Sequence, residues 1–312
     1  MDIDDAIARS VEIGCKAAAN GQVAQYIPQL RELDPHSFGL AVIELDGTEH
    51  VMGDVDIPFP IQSMSKVFSL TLAMQKLGGS REVGDAMWRR VGREPSGDPF
   101  NSLVQLEHEC GIPRNPMINA GALVIDDLLL EYCADPKNQL LALVRDISGD
   151  GGERIWMDPA IAAAEDDASM RNRAMGNLMA AFDNLHHPLG EVLDVYNNQC
   201  SLMMTARQIA RAMRFLANDG IDPASRRQIL SSSLAKRVMA IMLTCGTYDA
   251  AGEFAFSVGL PCKSGVAGGI MAAAPDHSGI CVWSPPLDVI GNSLGGRIAL
   301  HELTNQLELS IF

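Results

Sequence analysis

Residues 61–77, IQSMSKVFSLTLAMQKL, predict a strongly apolar helix with a candidate nucleophile at its start. The run from about Ser63 to Leu77 is apolar on nearly every side, which is typical of a helix buried in a core. Its first turn contains the S-x-x-K unit Ser63-Met-Ser-Lys66. A spacing of three residues puts both side chains on one helical face, where they can meet.

This pair has the chemistry of an activated serine. Ser63 lies near the positive end of the helix dipole and beside free backbone N–H groups, which favour a developing oxyanion. Lys66 is followed by Val-Phe-Ser-Leu-Thr-Leu-Ala-Met, and burial in such surroundings lowers the pKa of a lysine. The pattern predicts that Lys66 serves as the base that activates Ser63.

S-x-x-K alone is a weak signal, and a second copy, Ser233-Leu-Ala-Lys236, shows the alternative interpretation. There, Ser231–Ser233 are predicted to cap the next helix, with Lys236 on its solvated face. Further along lies Lys263-Ser-Gly265. S-x-x-K with a later K-[ST]-G occurs in serine enzymes that recognise penicillin, and this lysine is predicted to form one wall of the cleft. An ordinary turn into a strand is the alternative.

The flanking segments predict strands at both ends of the chain. Residues 38–45 predict a strand, Asp46-Gly47 a hairpin and Thr48–Met52 its return. Near the other end, short apolar runs predict strands at Phe254–Val258, Gly269–Ala274 and Gly279–Trp283. Helices are predicted at residues 3–19 and 296–309, and apolar spacing of three to four residues predicts more near 118–133, 138–147, 168–184, 189–196, 205–219 and 234–244.

These segments predict an α/β (α+β) fold, an antiparallel sheet flanked by helices plus an all-helical domain. We expect residues 1–62 and 246–312 to build the sheet domain from both ends of the chain. Residues 63–245 form the helical domain in this prediction. The active site is expected at the seam between them, since clefts between domains are common small-molecule sites.

Composition excludes several classes of function. The chain has 312 residues and a formal net charge of -15, with no long basic run, so we expect neither nucleic acid nor a membrane as partner. The acidic start Met1–Asp5 lacks the basic and apolar regions of a secretory signal, and we expect a cytoplasmic protein. Seven scattered cysteines indicate neither a disulfide framework nor a zinc site, and we expect no metal and no cofactor. The histidine-containing clusters worth testing as ligands are His108-Glu-Cys110 and His186-His187.

With these motifs in hand, the chain resembles the serine-dependent, beta-lactamase-like glutaminase family in its compact bacterial form. The resemblance runs from about Tyr26 to Pro286. The stretches that carry it are Tyr26–Leu30, Ile61–Lys66, Glu94–Gly97, Asn115–Gly121, Arg171-Asn172, Cys245–Tyr248, Gly259–Gly269 and Trp283–Pro286. The resemblance implies hydrolysis of L-glutamine to L-glutamate and ammonia through a glutamyl-serine intermediate. It also implies a homo-oligomer, a homodimer or homotetramer.

The resemblance further implies a role for particular residues. Ser63 matches the nucleophile, Lys66 its activating residue and Tyr248 the tyrosine beside the reacting amide. The backbone N–H of Val266 is expected to share the oxyanion hole with that of Ser63. The residues implied to bind the amino acid are Asn119, Glu165, Asn172 and Tyr196, with Tyr26 and Gln62 in pocket-forming motifs.

These implied roles suit the chemistry of glutamine. Its α-ammonium needs a carboxylate, which Glu165 can supply, and its α-carboxylate needs neutral donors such as Asn119 and Asn172. Each residue also has a structural alternative, for instance Glu165 as part of a solvated helix end. Two other functions stay open at this point: a beta-lactam-acylating or peptidase-like enzyme of the same fold, and a non-catalytic glutamine- or glutamate-binding protein.

Overall fold

The computed structural model describes residues 2–77, 81–97, 102–149 and 151–312, and only the backbone of residues 81–85. Eight strands are described: β1 Gly39–Glu44, β2 Glu49–Gly53, β3 Phe59–Pro60, β4 Trp156–Met157, β5 Leu202–Met204, β6 Cys262–Ser264, β7 Gly269–Ala274 and β8 Ser278–Trp283. The first helices are α1 Ile3–Ala18, α2 Pro28–Arg31, α3 Ser65–Leu77, α4 Arg81–Arg90, α5 Leu103–His108, α6 Asn119–Tyr132 and α7 Pro136–Ile147. The others are α8 Pro159–Asp167, α9 Met170–Ala181, α10 Leu189–Cys200, α11 Ala206–Ala217, α12 Ser232–Cys245, α13 Ala251–Ser257 and α14 Leu294–Leu307.

Five strands from the two ends of the chain form one antiparallel sheet in the order β2-β1-β8-β7-β6. The predicted hairpin at Asp46-Gly47 is confirmed: Asp46 Oδ1 accepts the backbone N–H of Thr48 at 2.8 Å, and Gly47 has a φ of 100°. A smaller antiparallel sheet has the order β3-β5-β4. The predicted antiparallel sheet is therefore present.

The main sheet is buried on both faces, which explains the uninterrupted apolar run in β1. Leu40 and Val42 pack in one cluster with residues of α1 and α14. Ala41 and Ile43 belong to the other, larger cluster, which includes α3, α6, α10 and α11. Alternate residues of a strand point to opposite faces, so one short run serves two cores.

Helix α3 lies in the middle of the larger cluster. Every residue from Ser65 to Met74 is buried, the polar ones included. A helix that is surrounded needs apolar residues all round, as the sequence predicted. The helix therefore gives Ser63, just before it, a fixed position.

One predicted strand is wrong. Residues 254–258 belong to helix α13 and its end instead of a strand. The buried residues Ala251, Phe254 and Val258 recur at intervals of three and four, which is the period of a helix. The strand that enters the sheet is β6, which contains Lys263. Helix α8 was not predicted.

Helix α11 packs directly on β1, β7 and β8, although it lies in the stretch assigned to the helical domain. The division into residues 1–62 with 246–312 and residues 63–245 stays a proposal. Among the residues that the model describes, no helix has the length and apolarity to cross a membrane.

Candidate active site

A cavity of about 230 Å³ opens where the main sheet meets the helices. Nine of its lining residues are candidates from the sequence: Tyr26, Gln62, Ser63, Asn119, Glu165, Asn172, Tyr196, Tyr248 and Val266. The sequence analysis assigned no role to the other three: Ala168, Ser169 and Arg171. These three lie between Glu165 and Asn172 in the sequence, and this position between two candidates is the signal from which they could have been predicted.

The turn that presents Ser63 is a short 3-10 helix, Gln62–Met64, which leads into α3. Gln62 has a φ of 53°, a left-handed conformation that is costly for a residue with a side chain. Gly265 lies against this turn so closely that a Cβ there would meet the carbonyl oxygen of Ile61 at 2.6 Å. The glycine therefore lets the segment containing Val266 approach Ser63.

Lys66 is buried, 1% exposed, and its Nζ donates to Oδ1 of Asn119 at 2.6 Å. The Nζ also lies 5.7 Å from the centre of the Tyr196 ring. Burial lowers the pKa of Lys66 to about 8, against the opposing influence of nearby acidic groups. The amine can therefore lose its proton at mildly alkaline pH. Nδ2 of Asn119 in turn donates to Oδ1 of Asn172 at 3.1 Å, so hydrogen bonds connect Lys66 to Asn172 through Asn119.

Tyr248 lines the same cavity as Ser63. It has a φ of 57°, a second left-handed residue beside the nucleophile candidate. Its hydroxyl donates to the carbonyl oxygen of Ser264 at 3.4 Å and also interacts with the Ser63 side chain. Burial raises the pKa of Tyr248 well above its ordinary value, so the phenol stays protonated and can act as a donor.

Glu165 is the carboxylate of the cavity, and α8 carries it. Tyr26 donates to Oε1 of Glu165 at 2.7 Å, and Nε2 of Gln62 donates to the same oxygen at 2.9 Å. Burial raises the pKa of Glu165, while these two hydrogen bonds and the charge of Lys66 oppose the rise. The two bonds occupy Oε1, and neither of them uses Oε2.

Lys263 does not form the predicted wall of the cleft. It is 0% exposed, and its Nζ donates to the carbonyl oxygens of Gly246 at 3.0 Å and Ser264 at 2.7 Å. The Nζ also lies 4.7 Å from the centre of the Tyr248 ring. Because β6 directs this side chain into the core, Lys263 packs against the ring of Tyr248.

The second S-x-x-K unit follows its structural alternative. The hydroxyl of Ser231 accepts the N–H of Leu234 and caps α12, and Lys236 is exposed. His187 binds the buried carboxylate of Asp127. Within the described ranges, no three His, Cys, Asp or Glu side chains come together in a way that could hold a metal ion.

Comparison with known proteins shows the family to which the chain belongs. A model of the family described as Glutaminase matches residues 21–312. The chain belongs to the glutaminase family. A glutaminase of Rhodopseudomonas palustris (strain TIE-1) is 49% identical to this family member over 312 residues, covering 99% of this chain and 98% of the relative. A glutaminase of Agrobacterium fabrum is 49% identical over 294 residues, 94% of this chain and 93% of the relative.

Solved structures of glutaminases share the fold. The probable glutaminase ybaS superposes with a TM-score of 0.91 at 31% identity, covering 100% of this chain and 99% of that one. A probable glutaminase from Bacillus subtilis, complexed with 6-diazo-5-oxo-L-norleucine, gives a TM-score of 0.84 at 34% identity, covering 97% and 94%. This glutaminase-family chain therefore has the beta-lactamase-like fold of the bacterial glutaminases.

Proposed function

We propose that this enzyme hydrolyses L-glutamine to L-glutamate and ammonia through an ester between the glutamyl group and Ser63. Membership in the glutaminase family supports the substrate and the reaction. The observation that supports the mechanism is that Ser63 and Tyr248 line one cavity and interact there, while the buried amine of Lys66 lies one helical turn after Ser63. A nucleophile, a proton donor and a base are the groups that acyl transfer needs.

Glutamine is held by its amino-acid end in this proposal. The ionised carboxylate of Glu165 binds the α-ammonium, and Tyr26 and Gln62 fix that carboxylate in place. Asn119, Asn172 and the hydroxyl of Tyr196 serve the α-carboxylate. Fixing this end places the side-chain amide at Ser63, and such positioning contributes several kcal/mol to catalysis.

Acylation begins when neutral Lys66 takes the proton of Ser63. Ser63 Oγ bonds to the amide carbon, and the negative charge on the amide oxygen is stabilised by the N–H groups of Ser63 and Val266. The C–N bond then breaks. Its nitrogen takes the proton that Lys66 gained, either directly or from Tyr248 with Lys66 then reprotonating the tyrosine, so ammonia leaves, the glutamyl ester stays on Ser63 and Lys66 is neutral again.

Deacylation repeats the proton transfers with water. Neutral Lys66 accepts a proton from the attacking water, whose oxygen bonds to the ester carbon. When the C–O bond breaks, the proton returns to Ser63 Oγ. Glutamate leaves and the site is restored. The lowered pKa of Lys66 serves both steps, since the amine must be neutral at the start of each.

The cellular setting and assembly belong to the same proposal. We infer a cytoplasmic enzyme, because all seven cysteines are free thiols, a state typical of reducing compartments. We also infer a homodimer or homotetramer. Support comes from large apolar side chains at the surface, Phe256 at 90% and Phe312 at 81% exposure.

Ammonia release from purified protein tests the function. L-glutamine, L-asparagine and a chromogenic beta-lactam are supplied in parallel to the wild type, Ser63→Ala and Ser233→Ala. Ser233 belongs to the exposed second S-x-x-K unit and serves as the matched control. We expect ammonia from glutamine with the wild type and Ser233→Ala, none with Ser63→Ala, and retained glutamate binding by Ser63→Ala. Opening of the beta-lactam alone would favour an acylating enzyme of another specificity, and tight glutamine binding without turnover a binding protein.

A further inference from the structure

Asp126 is a buried carboxyl that the proposed reaction does not use. It lies on α6 two turns after Asn119, so the two side chains share one face of the helix. Asn119 accepts the hydrogen bond of Lys66 on that face. Asp126, 0% exposed, therefore occupies the layer next to the Lys66 site.

The hydrogen-bond partner of Asp126 is Gln199, one turn after Tyr196 on α10. Nε2 of Gln199 donates to Oδ2 of Asp126 at 2.9 Å, and both side chains are 0% exposed. Within the described part of the chain, no protein group donates to Oδ1 of Asp126 or to Oε1 of Gln199. These two buried oxygens, which lack a donor among the described residues, thus belong to side chains that are hydrogen-bonded to each other.

A single proton on Asp126 would give both oxygens a hydrogen-bond partner. If Asp126 carries a proton on Oδ1, that oxygen becomes a donor, and Oε1 of Gln199, on the amide that already bonds to Oδ2, is a buried acceptor to which no described group donates. The carboxyl and the amide then form a closed pair with two opposed hydrogen bonds. An ionised Asp126 would instead hold a buried negative charge on a single neutral hydrogen bond, which is unfavourable.

The neighbouring carboxyl, Asp127, shows which hydrogen bonds stabilise a buried ionised side chain in this fold. Asp127 accepts bonds from the Arg90 guanidinium, from the backbone N–H groups of His186 and His187, and from the His187 ring. Burial opposes ionisation of Asp127, but the bonds from Arg90 and His187 outweigh it and lower the pKa. Asp126 has no comparable set of donors among the described residues.

The charges around Asp126 are few. Among the residues that the structure describes, the charged groups that act on it are Lys66 from α3 and Asp127 beside it on α6. Burial raises the pKa of Asp126 far above its ordinary value; Lys66 opposes the rise and Asp127 adds to it. Lys66 itself also faces Cys200 from α10 and Glu165 from α8.

We propose that Asp126 is a positioning residue held in its protonated form by Gln199, so that Lys66 faces a neutral acid–amide pair instead of a counter-ion. A counter-ion would stabilise the ammonium form of Lys66 and delay its action as a base. The neutral pair leaves the amine free to release its proton at mildly alkaline pH. This inference rests on the proposed role of Lys66 as the base.

The pH profile of kcat/KM tests the consequence, using substitutions that keep the shape of the pair. Asp126→Asn replaces the O–H by an N–H and mimics the protonated acid. We expect its acid limb to lie at the same pH as in the wild type. Gln199→Glu places a second carboxyl in the pair, which adds a negative charge, and its acid limb is expected to move up by about one pH unit. The double variant Asp126→Asn/Gln199→Glu restores one acid and one amide, and we expect the wild-type position.

Infrared difference spectra of the same proteins test the protonation directly. The wild type minus Asp126→Asn at neutral pH is expected to show the C=O stretch of a protonated carboxylic acid. This measurement does not depend on turnover, so it decides the state of Asp126 even if the proposed reaction fails. Two results would overturn the inference: absence of that band, or an acid limb of Asp126→Asn shifted to lower pH, which is the effect of removing a counter-ion.

Discussion

At the scale of single residues, the proposed mechanism depends on the protonation state of Lys66, since only the neutral amine can activate Ser63. Its amine is surrounded by the Asn119 amide, the Tyr196 ring and apolar side chains of the core. A solvated lysine would remain charged over the pH range in which most enzymes work. In the proposed mechanism, the buried lysine therefore serves as the base, and no histidine is needed for that role.

The lowered pKa of Lys66 makes a prediction about pH. Lys66 acts in its neutral form, and this form increases as pH rises through about 8. We expect kcat/KM for glutamine to increase with pH up to this value and then level off. Initial rates in a series of buffers at constant ionic strength measure the profile. A profile that does not change through this pH would argue against Lys66 as the base.

A second prediction concerns Glu165, whose negative charge binds the substrate ammonium in the proposed mechanism. We expect Glu165→Gln to raise KM on the order of 30-fold or more, from a loss of at least about 2 kcal/mol, with a smaller change in kcat. Because burial raises the pKa of Glu165, the wild-type KM should increase as the pH falls through this raised value. The KM of Glu165→Gln should lack that increase.

The matched control for this change is Asp166→Asn. Asp166 is the next residue on α8, but its carboxylate is partly exposed and bonds to Arg173 at 2.6 Å and Asn197 at 3.1 Å. We expect its KM to equal that of the wild type. Equal effects of the two substitutions would mean that the charge of this helix end, and not Glu165 itself, affects binding.

At the scale of elements, α8 connects helix capping to substrate binding. Asp158 caps the helix, with Oδ1 accepting the N–H groups of Ala160 at 2.9 Å and Ile161 at 3.2 Å. Pro159 at the first position favours the same start. The helix then carries Glu165 to Tyr26 and Gln62, so a loosened first turn would affect the carboxylate.

We therefore expect Asp158→Ala to lower the free energy of unfolding by about 1 kcal/mol and also to raise KM for glutamine. Asp135→Ala is the control, because Asp135 caps α7 before Pro136 in the same way, and α7 carries none of the candidate site residues. Its loss of stability should be similar without a change in KM. Denaturant titration and steady-state kinetics measure both quantities. A KM raised equally by both substitutions would contradict the role of the cap.

The helices and strands also show which parts of the fold can be predicted from the sequence. The hairpin at Asp46-Gly47 and helix α3 were predicted because local turn chemistry and apolar pattern determine them. Helix α8 was missed, since its sequence PAIAAAEDD has little contrast between faces. Residues 254–258 were assigned to a strand because a short apolar run does not distinguish strand from helix, and only packing decides.

At the scale of the whole molecule, the site exists because distant segments meet. Tyr26, Gln62 and Glu165 come from the N-terminal segment, the turn before α3 and α8, and Tyr248 comes from the turn after α12. Motif resemblance named these residues, but no local pattern determines their hydrogen bonds. The burial of Lys263 behind Tyr248 was also beyond prediction, because it depends on how β6 enters the sheet.

The most direct test of the central claim is to identify the residue that reacts with a glutamine analogue. 6-diazo-5-oxo-L-norleucine has the backbone of an amino acid and a reactive diazoketone in its side chain, and it is the ligand of the Bacillus subtilis structure. After reaction, the protein is digested and mapped by mass spectrometry, with Ser63→Ala as control. We predict a single adduct on Ser63, slowed by L-glutamate and absent from the variant. An adduct on another residue, or equal labelling of Ser63→Ala, would contradict the account.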